Sequence, residues 1–430
     1  MAEQEYIYNI DDRPPAKLGL VYGLQWAVIM FPALIIAATL AARALSLDAA
    51  QEVRFMQLTI LTSGLFSAIQ TAWGHRFPLL EGPATALLLT YIVIAPYGIG
   101  TLQGGMILGG VLLIAIVLSG QLNRIIRFIT PNVVGVVLML IAFTLLPHLI
   151  NSMSGVDSAH PDGEISIFLI SLFLVILMAA FSHWLTRFWK TISLLLGIVV
   201  GTLVFGFKGL VDWQSVSTAA WITLPGRLIP SWPHFYWPAV VAFASAYLAV
   251  IVNSLGSIHG IANVTDTERL PSAVPRGILV NGVGGVFCGL LGIVGTVSYS
   301  ISPGVVLANR VASRYTIMYC GFILIAAALA PKMAALLALV PAPVVGAALT
   351  VAMGAQIGAG LSIISRDGFT GRDYFVVGLP LLLGTMVGFL PEALVASVPP
   401  AFQIFLGNGL IVGIFLVLLM EHVFLRKREG

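Results

Sequence analysis

The chain has 430 residues, of which 59% are hydrophobic and only 9% charged, and its formal net charge is +3. With a mean hydropathy of +1.01 it is no soluble globular domain; repeated apolar runs of about 20 residues mark a polytopic helical membrane protein. The small net charge carries no nucleic-acid signal, and no metal-ligand spacing, phosphate-binding Gly-Lys-Ser/Thr loop or catalytic triad is visible, so the sequence points to a secondary transporter without a cofactor rather than an enzyme.

The N-terminal stretch MAEQEYIYNIDDRPPAK is acidic and polar. It lacks the basic-then-apolar order of a cleaved signal peptide, so the first membrane helix is expected to direct insertion. Fourteen candidate membrane segments follow, starting near Leu18, Phe55, Leu79, Leu102, Pro131, Ile165, Thr191, Pro238, Gly277, Ser298, Tyr315, Pro343, Tyr374 and Phe402. The third, LLEGPATALLLTYIVIAP, and the tenth are the most irregular. Glu81 is the one carboxylate clearly inside an apolar segment, the third; nearly all the others lie in loops, tails or span ends. The 208–237 connection is rich in Trp and Pro, and Trp213, Trp221, Trp232 and Trp237 read as interfacial aromatics.

The ninth segment is apolar and studded with glycines, with Gly285 and Gly289 spaced for close helix packing. The tenth then clusters Ser298, Tyr299, Ser300 and Ser302 before Pro303-Gly304, with no charge between Arg276 and Arg310. Polar groups and a chain break at membrane depth are tolerated where they line a cavity, and a broken segment of this kind points to a transporter's binding site. The two cysteines, Cys288 and Cys320, sit in apolar runs and read as packed thiols.

Positive charge orients the chain. With both termini in the cytoplasm, Arg13, Lys17, Arg76, Arg124, Arg127, Arg187, Lys190, Arg269, Arg276, Arg310, Arg314, Arg366, Arg372, Arg426, Lys427 and Arg428 fall inside. Arg43, Arg54, Lys208, Arg227 and Lys332 fall outside, so 16 of the 21 Lys and Arg are internal. There is also an internal repeat. Thr130-Pro131-Asn132-Val133-Val134-Gly135 opens segment five and Pro341-Ala342-Pro343-Val344-Val345-Gly346 opens segment twelve, 211 residues and seven segments later. Seven is odd, so the second copy enters from the opposite side: a 7+7 inverted repeat, with the irregular segments three and ten also seven apart. The interruptions predict extended backbone near Gly82–Thr85 and near Val297–Ser302.

These residues resemble the nucleobase–ascorbate transporter family, or nucleobase–cation symporters, which includes the uracil and xanthine permeases. The resemblance covers nearly the whole chain. Asp12-Arg13-Pro14-Pro15 is similar to the stretch before that family's first helix, and Gln25 matches its Gln, although the usual following His is Trp26. Arg276, Asn281-Gly282, Gly289 and Gly292 match the ninth-segment pattern. Ser302, Gly304, Asn309 and Arg310 fall where the signature has Asn, Gly, Thr and Arg, and Pro341 to Gly346 resembles Pro-Leu-Pro-Val-Met-Gly. Two acidic positions differ: the eighth-helix Glu is replaced by Asn253, within VIVNSLGSIHG, and the Glu or Gln before the segment-ten signature by Ile301.

The resemblance implies an all-α membrane protein in which segments three and ten each contain a short strand. Residues 1–17 would be a cytoplasmic tail, 18–128 and 238–340 a core domain, 129–237 and 341–425 a gate domain, and 426–430 a second tail. It implies a nucleobase carried by symport with H+ or Na+ across the plasma (inner) membrane, and a homodimer through the gate domain. The alternative on the same fold is an anion transporter of the sulfate or bicarbonate type, for which Arg310 is the nearest basic candidate.

Candidate substrate-binding residues are Asn253, Ser257, Gln25, Ala84, Thr85, Tyr299, Ser300 and Ser302. Asn253 and Ser257 lie four apart on one helix face, and an amide offers both donors and an acceptor to a nucleobase edge; interhelical hydrogen bonding is the other reading, for them and for Gln25. Tyr299 either stacks on a planar ring or packs between helices. Glu81 either carries the coupled proton or is a structural carboxylate pairing Arg76. His148 and His259 read as interfacial, and Asp266 and Glu268 as loop partners of Arg269 and Arg276.

Overall fold

The structure, a computed structural model, describes residues 6–156, 161–211, 213–226, 232–365 and 368–426. Arg227, Arg366, Lys427 and Arg428 of the charge pattern lie outside these, as do the carboxylates Glu3, Glu5, Asp157, Asp212, Asp367 and Glu429. Among the described residues seven helices are long and apolar enough to cross a membrane. An eighth span is formed if Arg314–Ala328 and Pro331–Ala338, bent by 93°, count as one.

Length and composition alone therefore give fewer spans than the fourteen expected, for three reasons. The helix Ala49–Ala72 is long enough, but Thr59, Thr62, Ser63, Ser67, Gln70 and Thr71 make its buried side polar. Segment ten is reduced to the helix Ser302–Asn309. Segments three, seven, thirteen and fourteen hold the shorter apolar helices Thr85–Tyr97, Ser193–Phe207, Asp373–Val387 and Gly409–Phe424. Segment nine starts earlier than Gly277, at Leu270, because Pro271 is tolerated in the first turn and Arg276 projects its charge outward. Segment fourteen starts later than Phe402: a short helix, Pro400–Leu406, stops at Gly407-Asn408, and Asn408 caps the next helix by accepting from the Ile411 amide.

Both interrupted segments contain extended backbone. β1, Glu81–Pro83, pairs antiparallel with β2, Thr296–Ser298, with Glu81 opposite Ser298, Gly82 opposite Val297 and Pro83 opposite Thr296. Backbone bonds from Ala84 to Gly295 (2.8 Å) and from Tyr299 to Leu80 (2.9 Å) extend the pairing. β1 sits at the start of its expected stretch and β2 at the start of its own. Each strand leads into a half-helix, Thr85–Ile94 and Ser302–Asn309.

The helix contacts cross between the two halves. Ala49–Ala72 packs on Arg314–Ala328, and Ile99–Leu118 packs on Leu270–Leu291. Pairing each segment with the one seven later exchanges these two contacts. It maps the contact of Pro131–Thr144 with Ala342–Ile364, and that of β1 with β2, onto themselves. This is the contact pattern that twofold-related halves produce. Close approach depends on small residues: a Cβ on Gly282 would lie 3.1 Å from the Gly110 carbonyl oxygen.

The N-terminal stretch crosses the end of the second half. Tyr8 bridges Val311, the Ile7 amide donates to the Arg310 carbonyl, and the Ala312 and Arg314 amides donate to Tyr8 and Ile10. Asp11 pairs with both Arg269 and Arg314, and the Tyr6 hydroxyl donates to the Val264 carbonyl. Asp266 pairs with Arg269 as the sequence suggests, with Asp11 as an additional partner.

Candidate functional site

The strand pair and the two half-helices converge on the long helix Trp237–Val264. Neither half-helix has a side-chain cap: Ala84 and Ile301 occupy the capping positions. The Ser302 amide turns back to the Tyr299 carbonyl at 3.3 Å, and the remaining first-turn N–H groups, at the positive ends of two helix dipoles, are left for another acceptor. Pro83 and Pro303 flank this opening, where a missing N–H costs nothing.

The candidates divide into two shells. Asn253, Gln25, Thr85 and Tyr299 are half-buried, and Ser300, Ile301, Gly256 and Gly304 are exposed. The Gln25 Nε2 is buried and has no partner among the described residues. The Tyr299 hydroxyl donates to the Pro83 carbonyl at 2.9 Å, which fixes the ring beside β1. Gly82 gives both side chains room: a Cβ there would lie 1.7 Å from the Met30 methyl and 2.9 Å from the Tyr299 oxygen, and those side chains would have to shift.

Ser257, Ser302 and Ala84 are fully buried instead. Ser257 donates to the Ser298 carbonyl at 2.8 Å, and Ser302 accepts from the Leu80 amide at 3.2 Å. Their hydroxyls hold the strands in place. The sequence spacing put Asn253 and Ser257 on one face, but four residues turn a helix by roughly 40° beyond a full revolution. That rotation separates an open position from one pressed against β2.

Glu81 lies behind the strands with no exposed surface. One carboxyl oxygen accepts from Ser298 and the other from Asn281 Nδ2, at 3.0 Å. Asn281 Oδ1 accepts from Ser254 at 2.8 Å, and the Glu81 amide donates to Ser67 at 3.0 Å. The cation expected beside it is not Arg76, which is exposed with a left-handed φ of 58°. That turn brings His75 inward, and its Nε2 stands 3.7 Å from Glu81 Oε1, both side chains fully buried. His75, Asn281 and Ser254 were not singled out by the sequence as a set; the unusual Glu81 was the only signal leading to them. Asn408 was also missed. It donates to Thr90 Oγ1 at 3.2 Å, joining segment fourteen to the first half-helix.

Arg310, the basic candidate for an anion, is exposed at the far end of its half-helix. His259 is exposed, with its Nδ1 against the Leu255 carbonyl, and His148 is half-buried. No group of three or more His, Cys, Asp or Glu positioned for a metal occurs among the described residues.

Comparison with known proteins matches residues 19–393 to the Permease family model for xanthine and uracil permeases. The uric acid permease PucK of Bacillus subtilis is 26% identical over 95% of this chain and 96% of its own. The xanthine permease of the same organism is 24% identical over 94% and 93%. In fold, the chain is similar to the transmembrane domain of the cyanobacterial bicarbonate transporter BicA, with a TM-score of 0.63 at 15% identity over 88% of this chain and 98% of that one.

Proposed function

Because the chain belongs to the Permease family of xanthine and uracil permeases, we propose that it is a secondary active transporter of purine or pyrimidine nucleobases. It is a multi-pass membrane protein and not an enzyme. In the proposed arrangement fourteen segments form two inverted repeats. Residues 18–128 and 238–340 make the core, and 129–237 and 341–425 the gate. Both termini face the cytoplasm across the plasma (inner) membrane, and two copies associate through the gate.

The observation that carries the substrate reading is the pair of uncapped half-helices that both pack on the long helix bearing the half-buried Asn253. A planar base would take hydrogen bonds from those backbone N–H groups and from the Asn253 amide, with Gln25, Thr85 and Ser300 beside it and Tyr299 against its ring. Ser257, Ser302 and Ala84 support that surface from behind. Glu81 carries the coupled proton, and alternating access moves the site between the two faces.

An anion of the bicarbonate type is the second reading, favoured by the shared fold and by two helix N-termini without a carboxylate at the opening. Uptake of labelled uracil, xanthine and sulfate by cells expressing the protein separates them. Competed, saturable uptake of a base supports the proposal; uptake of sulfate alone overturns it.

A further inference from the structure

We infer that His75 is a positioning residue that holds Glu81 ready to exchange its proton, an inference that rests on the reading of Glu81 given above. The ring is fixed from three directions. Its Nδ1 accepts from the Phe77 amide at 3.0 Å, its own amide lies 3.3 Å from Gln70 Oε1, and it stacks on the Phe77 ring. Gln70 in turn donates to the Gly277 carbonyl at 2.9 Å, on the helix that carries Asn281. The turn around His75 is therefore built into the same frame as the carboxylate's other partners.

A backbone amide can only donate, so Nδ1 must present its lone pair. The neutral ring then carries its proton on Nε2, and Nε2 faces Glu81 Oε1 at 3.7 Å with no other partner among the described residues. A second proton on Nδ1 would set two N–H groups against each other. The exchanged proton is thereby directed to the carboxyl group: carboxylate plus proton gives carboxyl on one face of the membrane, and the reverse occurs on the other. No other bond is made or broken.

Among the described residues the surroundings leave no competing charge. The helix Ala49–Ala72 presents Ser67, Gln70 and Thr71. The helix Leu270–Leu291 presents Asn281, and the long helix presents Ser254 and Ser257. β2 presents Ser298 and the adjoining Tyr299, which, besides His75, is the titratable side chain facing Glu81 among the described residues. Arg314, which reaches the Thr71 carbonyl, is already paired with Asp11. Ser298 and Asn281 hydrogen-bond the carboxylate directly, and the Nε2–H adds a third polarised N–H aimed at it from 3.7 Å; its loss removes that favourable field, while Gln at position 75 retains an N–H of similar reach.

The test uses purified full-length protein in lipid vesicles and needs no substrate. The infrared carboxyl band that disappears in Glu81→Gln is followed across pH in the wild type, His75→Leu and His75→Gln. Leu is expected to extend the protonated band upward by about one pH unit or more, and Gln to restore the wild-type midpoint. An unchanged midpoint in Leu, or a Gln variant that behaves like Leu, overturns the inference. Nitrogen magnetic resonance of the wild-type ring, assigned by loss of the signal in His75→Gln, covers the case in which Leu fails to fold. A bare Nδ1 supports the inference and a protonated Nδ1 overturns it. Proton-driven uptake of labelled xanthine is read separately. A wild-type pH response retained in Glu81→Gln would remove the coupling role and leave the tautomer result standing.

Discussion

Glu421 and Glu81 are both buried carboxylates, yet they are surrounded by opposite chemistry. Glu421 lies 2.9 Å from the Arg372 guanidinium, which also approaches Asp373 at 3.3 Å. Asn132 joins the two carboxylates, and Thr370 donates twice to Asp373. Among the described residues Glu81 meets only hydroxyl, amide and imidazole groups. A carboxylate against a guanidinium must stay charged, since protonation would strand a buried cation. A carboxyl group among neutral donors and acceptors can be accommodated in either form. The same residue type thus ties helices together through charge in one place and sits among neutral partners in another.

Exchanging each carboxyl for its amide is the strongest way to break this contrast. Glu81→Gln, which mimics the protonated form, should abolish accumulation driven by an inward proton gradient in proteoliposomes while sparing counterflow exchange of a labelled base. Accumulation with the wild-type pH response would assign Glu81 a structural role. Glu421→Gln should do the reverse. It should cost about 3 kcal/mol in thermal unfolding, because Arg372 loses its closest charge, and leave the pH response of transport intact.

Two substitutions on the long helix sharpen the contrast between the open and the buried side of the site. Asn253→Ala should weaken binding of a planar base by about 1–3 kcal/mol in a calorimetric titration, since the ring edge is left unsatisfied. Ser257→Ala should instead cost about 1 kcal/mol of stability by freeing the Ser298 carbonyl, with a smaller effect on base affinity. Equal effects on affinity would remove the distinction between the two positions.

The smallest effect belongs to the surface. The Asp11 carboxyl falls from 3.8 to about 2, chiefly through its hydrogen bond from Arg269, with Arg314 adding to it. Because the folded value is the lower one, the stabilisation is complete above about pH 4 and fades as pH falls toward 2. Asp11 is half exposed, so screening keeps the contribution small. Limited proteolysis should show the N-terminal stretch loosening across that window. In Asp11→Asn it should already be loosened at neutral pH.

Much of this architecture is readable from residue order. Gly82-Pro83 and the polar run before Pro303 announce breaks in apolar segments, and the two strands lie at those breaks. The matching starts of segments five and twelve anticipate helices that pack on each other. The partners of Glu81 are harder to see. His75 sits in a turn outside the apolar run, beside an arginine that looks the more obvious counter-ion. Only the left-handed backbone at Arg76 sends one side chain outward and leaves the other inward. Ser257 was legible as polar, but its role depends on a helix rotation fixed by tertiary packing against β2.

The pairing of β1 with β2 also sets an order of events during synthesis. Asn281 is 200 residues beyond Glu81, and Ser298 is 217 beyond it. When the first half leaves the ribosome, Glu81 has only Ser67 and His75 from its own side, and β1 has an unpaired edge in a setting that tolerates none. The first half therefore waits, incompletely closed, for the tenth segment to arrive. A chain cut between residues 208 and 237 should yield two fragments that are each degraded alone and recover together, because each carries the missing edge of the other.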